Sequence, residues 1–213
     1  MEGSRDMVDH FETMTELLTF TQENEDWEIQ TYERDSPVLV TAVHGGAIER
    51  GTTEVAQYLS ELGNFSFYSF KGVRKNKNNE LHVTSTHFDE PKLKKIVREH
   101  AQVISIHGCM GEKNEVYIGG RDEALITRIK QVLNEAGIII KDAPSHISGK
   151  QQDNFVNCGK NGMGVQLELT VNFRKQCFIN KKFNLKDRED RSNWSTYLKK
   201  FSKAMVKAIT YHK

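Results

Sequence analysis

The sequence predicts one α/β domain built on a central mixed, mostly parallel β-sheet flanked by helices. Three observations predict it. Residues 37–43 form an apolar, β-branched run that stops at His44-Gly45-Gly46 and is followed by Val55, Ala56, Leu59 and Leu62 at helical spacing. Residues 103–106 form a second such run, ending at His107-Gly108, and an amphipathic stretch over 122–136 leads through Gly137 into Ile138, Ile139 and Ile140. Short apolar runs alternating with amphipathic helices are what a largely parallel sheet requires, because its crossovers cover both faces.

Each element has its own local reason. Asp9 and Glu12 have the spacing of a helix cap, and Phe11, Met14, Leu17 and Leu18 then recur at helical spacing, so a short N-terminal helix is expected. Weak alternation over 27–32 reads as a strand, 37–43 as a central strand and 52–62 as a helix. Residues 65–70 read as a strand, 81–84 as a short one, and 91–100 as a helix with Pro91 in its first turn. Strands follow at 103–106, at 116–118 before Gly119-Gly120, and at 138–140 after the 122–136 helix, which Gly137 closes. A polar loop over 143–162 leads to a strand at 165–169. Trp194, Leu198, Phe201, Met205 and Ile209 mark a C-terminal amphipathic helix. No internal repeat or low-complexity linker interrupts this order.

Composition narrows the partners. The 213 residues carry 30 basic and 29 acidic side chains, a formal net charge of +1, with 28% charged and 37% hydrophobic residues. That is ordinary globular composition, with no argument for a nucleic-acid or membrane partner and none about oligomeric state. Cys109, Cys158 and Cys177 are too dispersed for a disulfide framework or a cysteine metal site and read as free thiols. The acidic, amphipathic N-terminus lacks the pattern of a signal peptide, and no run approaches the ~20 apolar residues of a membrane span, so cytoplasmic synthesis without export is expected.

Chemistry concentrates at the strand ends, where open α/β sheets bind their ligands. His44 closes one strand, the diglycine lets the chain turn sharply, and Glu49 can rise from the incoming helix toward the same point. If the strands lie close together, His107 enters that crevice from the side. Two imidazoles and a carboxylate suit Zn²⁺ and leave a coordination position open for water, whose pKa zinc lowers to about 7. Glu168 interrupts the apolar run 164–169 and is the candidate base for that water. Plainer readings exist for each: strand-end histidines bonded to backbone, and a Glu168 that faces solvent in alternation with Gln166.

Three segments occur in order: His-Gly-Gly-Ala-Ile-Glu-Arg-Gly-Thr-Thr-Glu from His44, Leu-His-Val-Thr-Ser-Thr-His-Phe-Asp-Glu-Pro from Leu81, and Gly-Val-Gln-Leu-Glu-Leu from Gly164. With them the chain resembles the phage and bacillar poly-γ-glutamate hydrolase family over roughly residues 27–174. The resemblance implies a zinc-carboxypeptidase-like fold, with an N-terminal helical extension over 1–26 and a catalytic domain over 27–213. It implies cleavage of γ-amide bonds in poly-γ-glutamate, one zinc held by His44, Glu49 and His107, and Glu168 as the catalytic carboxylate. His87 and, more weakly, His82 lie in the matched second segment and are candidates for lining the cleft.

A polymer with a free α-carboxylate on every residue calls for cations along its path. Arg174 and Arg121 are candidates, Arg121 standing where the family pattern suggests an apolar residue. Asn154 and Asn157, in the loop before the last strand, are candidates for hydrogen-bonding substrate. A nucleophilic role for Cys109 arises only without a metal. Two other readings use the same residues: a small-molecule deacylase of acylated glutamate or aspartate, and a non-catalytic polyglutamate-binding phage protein. An enzyme of this kind without an export signal would meet extracellular polymer after host lysis.

Overall fold

The computed structural model describes residues 9–211; residues 1–8 and 212–213, and with them the signal-peptide reading of the first residues and the ends of the two assigned segments, lie outside it. Seven strands form one sheet: β1 (Trp27–Tyr32), β2 (Val38–Gly46), β3 (Ser66–Gly72), β4 (Gln102–Cys109), β5 (Glu115–Gly120), β6 (Ile139–Asp142) and β7 (Val165–Thr170). Their order is β1-β3-β2-β4-β7-β5-β6. The four inner strands β3, β2, β4 and β7 are mutually parallel, β1 pairs antiparallel with β3, β5 antiparallel with β7, and β6 parallel with β5. The expected mixed, mostly parallel sheet is therefore present.

Alternation along the strands divides the core between two faces. Val40, Ala42, Ile104, Ile106, Val116, Ile118, Leu167 and Leu169 form one cluster with residues of α2 (Thr52–Gly63), α4 (Glu123–Glu135), α5 (Val171–Gln176) and α7 (Thr196–Ile209). Leu39, Val43, Tyr68, Phe70 and Val103 form the other with Met14 and Leu17 of α1 (Met14–Phe20) and Leu93, Ile96 and Val97 of α3 (Pro91–Glu99). The central strand β2 is buried along its whole length, which is why it reads as a continuous apolar run. Helix starts follow ordinary capping chemistry: Asp122 accepts from Leu125 N, Ser195 from Leu198 N, and Glu90, ahead of Pro91, from Lys92 N and Leu93 N.

Two local expectations are corrected. Helix α1 starts at Met14 and is capped by Thr13, which accepts from Glu16 N, and not by Asp9 with Glu12. Asp9 instead accepts from the His82 ring and from Thr84 N, both at 2.6 Å, so both of its oxygens are taken by the 82–84 segment. Residues 81–84 are not a strand. Asn78–Leu81 form a 3₁₀ turn, and although Leu81 and Val83 are buried as their alternation suggested, Val83 O bonds a histidine ring and Thr84 N the Asp9 carboxylate. The apolar period was real, but side chains took the hydrogen bonds a strand partner would have used.

Candidate metal centre

The functional side chains gather at the C-terminal edge of β2, β4 and β7. The register of β2 against β3 shifts between Ala42 and Gly45, and such an irregularity re-aims the side chain it carries. His44 consequently meets His107 on the face that holds Val43 and Val103. Gly46 has φ 64°, and a Cβ there would come within 2.4 Å of Gly72 O, so the turn admits no larger residue without displacing β3. Beyond it, Glu49 N donates to His44 O at 2.8 Å, which folds the carboxylate back over the strand end.

His44 Nδ1 lies 3.1 Å from Glu49 Oε1 and 3.1 Å from His107 Nδ1, and His107 Nδ1 lies 3.7 Å from Glu49 Oε2. Donors around a tetrahedral zinc, each about 2.0–2.1 Å from the ion, stand roughly 3.3 Å apart. The three residues bring donor atoms to comparable separations, the two imidazoles facing different oxygens of Glu49. On the far sides of the rings, His44 Nε2 donates to Val83 O at 2.8 Å, which turns its Nδ1 toward Glu49, and His107 Nε2 pairs with Ser105 Oγ at 2.8 Å. Glu49 Oε2 accepts from Gly108 N at 2.8 Å, which holds the carboxylate in place.

A fourth side chain is close. His44, Glu49 and His82 also offer ligand atoms within 4.8 Å of one another. His82 Nε2 is 3.9 Å from Glu49 Oε1, and its ring lies tilted against that of His44, centroids 4.0 Å apart and planes at 32°, whereas His44 and His107 meet edge to face at 68°. His107 and His82 thus both stand beside the His44–Glu49 pair, His82 bonded through Nδ1 to Asp9.

The electrostatics agree with a site made for a cation. Burial opposes ionisation of both Glu49 and His44, yet the imidazoles hold the Glu49 carboxyl down at about 2, and the carboxylate raises His44. His107, buried and facing His44, falls to about 3 and is neutral. The Glu49 carboxylate and the neutral His107 ring thus face His44, a donor set that suits a divalent ion.

Glu168 pairs in register with His107 across β4 and β7 and is 5% exposed, which excludes the solvent-facing reading. Burial first, and the Glu49 charge second, push its carboxyl well above the usual range. Gln166 Nε2 donates to Glu168 Oε1 at 3.0 Å, and Asn154 Nδ2 donates to Gln166 Oε1 at 3.1 Å. Asn154 thus stands two links behind Glu168. Asn157 is likewise engaged internally, with Gly149 O, Gln151 O and Gly164 N.

The other sequence candidates are more dispersed. Arg174 is buried, and its Nε, Nη1 and Nη2 donate to the carbonyls of Leu169, Arg50 and Cys109 at 3.1, 2.6 and 3.0 Å. Arg121 is exposed where β5 gives way to α4, at the opposite end of the β5–β7 pairing from Glu115 and Thr170. His87 is exposed, following the 3₁₀ turn and its extended continuation. Cys109, with its thiol pushed up to about 12 by burial and then by Glu168, carries no thiolate for nucleophilic attack.

Sequence reasoning missed several supports. Ser105, two positions before His107 on one strand, shares its face and was findable by alternation. Gln166 was findable in the same way as the neighbour of Glu168. Asp9 had no signal, because its partner lies 73 positions away.

Comparison with known proteins assigns the family. Residues 11–204 match the family described as poly-gamma-glutamate hydrolase. The chain belongs to the poly-γ-glutamate hydrolase family. Among curated proteins it is similar to the UPF0714 protein YndL of Bacillus subtilis (strain 168), at 36% identity over 91% of this chain and 75% of that one. Among solved structures, a bacteriophage poly-gamma-glutamate hydrolase superposes with TM-score 0.91 at 29% identity, covering 95% of this chain and 97% of that one. A zinc-free apo form of YndL gives TM-score 0.88 at 34% identity, covering 95% and 98%. The family is one of hydrolases, and no helix among the described residues is long and apolar enough to cross a membrane.

Proposed function

We propose that this chain is a zinc-dependent hydrolase that cleaves the γ-glutamyl amide bonds of poly-γ-glutamate. The observation that carries the reading is the convergence of His44 Nδ1, Glu49 and His107 Nδ1 at separations of 3.1, 3.1 and 3.7 Å, in a chain of this family. One zinc per chain would be held by these three residues. When bound, zinc supplies a Lewis acid that polarises the scissile carbonyl and makes water acidic near neutral pH. The zinc-free form recorded for YndL supports zinc over other divalent ions.

The remaining steps belong to the chain's own side chains. Glu168, oriented by Gln166, takes the proton of the attacking water on its carboxylate and returns it to the leaving amine, so no covalent enzyme intermediate forms. His82, held through Nδ1 by Asp9, presents Nε2 beside Glu49 and is suited to contact the substrate carbonyl or its developing oxyanion. His87, exposed at the edge of the same segment, is a further substrate contact. Arg174 and Asn154 spend their polar atoms inside the protein, which supports roles in holding the Arg50, Cys109 and Leu169 carbonyls and, through Gln166, Glu168, rather than gripping the polymer. Arg121, exposed at the far end of β5, reaches only a chain that runs the length of the strand. A polymer outside the cell would be met after release by lysis.

Incubation of the purified protein with poly-γ-glutamate, following polymer length, tests the reading. Shortening of the polymer is expected; release of small acids alone would indicate a deacylase, and unchanged length a binding protein. About one zinc per chain should copurify and be lost in His44→Ala. Glu168→Gln should keep zinc and lose nearly all turnover, and near-parental activity would remove Glu168 from the proton-transfer role.

A further inference from the structure

The sheet continues past Glu168 in a direction that nothing so far uses. In the β5–β7 pairing Tyr117 stands directly opposite Glu168, and in the β5–β6 pairing Lys141 stands beside Tyr117. Residues in register on neighbouring strands share a face. His107, Glu168, Tyr117 and Lys141 are therefore one row, crossing four strands at the same level.

Beyond Glu168 the 145–148 turn lies over Gly119 and Gln166 on this face, while the second core stops short of Tyr117 and Lys141. Val116, Ile118, Ile140, Leu167 and Leu169 point to the opposite face, into the core with α4 and α7. The second core cluster, which covers the row's own face, draws residues from β1 to β4, α1, α3 and the turn at Phe155–Asn157, and none from β5 or β6. Tyr117 is partly exposed, Lys141 is exposed, and Ile139 on the same face is 52% exposed. The result is an open shelf beginning at the catalytic carboxylate.

Its polar groups are preset. Lys141 Nζ donates to Glu115 Oε1 at 2.7 Å, and Tyr117 Oη donates to Glu115 Oε2 at 3.2 Å. Glu115 is buried, so it acts as an anchor beneath the two groups and leaves two ammonium protons of Lys141 for another acceptor.

We propose that Tyr117 and Lys141 form a subsite for the glutamate next to the cut bond, Tyr117 flanking its main chain and Lys141 binding its free α-carboxylate. This rests on the reading of the substrate as a γ-glutamyl polymer. Strands about 4.8 Å apart set Lys141 roughly 10 Å from Glu168 at the backbone. One extended γ-glutamyl repeat, five bonds from α-carbon to α-carbon, spans about 6 Å, and the lysine stem covers the rest. An uncharged acyl chain would gain nothing from Lys141, so the subsite selects for the anionic polymer.

The test compares KM and kcat of the parental holoenzyme with Lys141→Ala, Lys141→Arg and the charge-neutral pair Lys141→Met with Glu115→Gln. Lys141→Ala should raise KM for poly-γ-glutamate about five- to tenfold with kcat within twofold, and Lys141→Arg should stay near parental. The double variant should also show the raised KM, because the cation itself is missing. An active parent matched within twofold by Lys141→Ala overturns the subsite alone. Parental KM in the double variant also overturns it, by tracing the effect to an unpaired Glu115. A parent that leaves the polymer uncut overturns the hydrolase reading and the subsite together.

Discussion

Replacing Arg188 with Met removes a buried cation from beneath the turn between His44 and Glu49, and the structure sets the size of the loss. Arg188, in α6 (Leu185–Glu189), is 1% exposed and donates to Glu54 Oε1 at 3.3 Å, Phe183 O at 2.9 Å and Gly46 O at 3.0 Å. Glu54 is equally buried, and its Oε2 has no partner among the described residues. Burial already raises the Glu54 carboxyl despite the pull of Arg188. Without the guanidinium the carboxyl rises further and keeps its proton on folding. Holding that proton at pH 7 costs at most about 3.7 kcal/mol, from an unfolded value of about 4.3 and 1.36 kcal/mol per unit. At pH 5 the same ceiling is about 1 kcal/mol. Two buried carbonyls lose charged donors as well, at roughly 1 kcal/mol each.

The expected loss is about 3–5 kcal/mol at pH 7, in the range for breaking a buried pair, and about 1–3 kcal/mol at pH 5. The sign follows from linkage. A folded-state pKa above the unfolded one gives stability that is full below the unfolded pKa and lost as pH rises toward the folded one, so the deficit grows from pH 5 to pH 7. Urea unfolding at both pH values measures it, provided the m value is unchanged. A loss below about 1 kcal/mol at both, or one that does not vary with pH, would refute the argument. A second substitution, Glu54→Leu, should recover much of the stability. Because Gly46 O is one of the carbonyls released, zinc retention should weaken too.

Three further outcomes follow from the same geometry. Zinc added to the metal-free protein should stabilise it by about 2.7 kcal/mol at a hundredfold excess over Kd, with release of protons. A thermal shift of equal size in His107→Ala would remove that residue from the donor set. Asp9→Asn should lose about 2 kcal/mol at pH 7, since bonds from His82 and Thr84 hold the Asp9 carboxyl at about 2 against the opposing effect of burial. That stability is present above the ordinary carboxylate value of 3.8 and lost as pH falls toward 2, so parent and variant should converge in urea unfolding near pH 2; a constant gap would contradict the assignment. Gly119→Ala sets a Cβ 2.1 Å from Ser148 O and should destabilise the fold by about 1–3 kcal/mol. An unchanged melting temperature would show that the 145–148 turn yields freely.

Much of the fold was legible because its signals are local. The β2 and β4 runs, the helical spacing after the diglycine and the Asp122 and Pro91 helix starts all depend on residues within a turn or a strand of one another. The segment at 81–84 misled for a related reason. Its alternation reported burial correctly, but burial does not say whether a backbone pairs with a strand or with side chains.

The candidate site divides along the same line. His44, Glu49, His107 and Glu168 were visible in the sequence because each sits at a strand end, just past the diglycine turn or inside an apolar run, and the three matched segments pointed to one family. What the sequence determined by itself was therefore the type and order of the elements and the chemical identity of the groups they end in. Tertiary structure alone decided that β5 runs antiparallel to β7, bringing Tyr117 beside Glu168, that Asp9 orients His82, and that Arg188 lies beneath Gly46. The physical reason is that these contacts join residues 51 to 142 positions apart, where strand order and register decide which side chains meet.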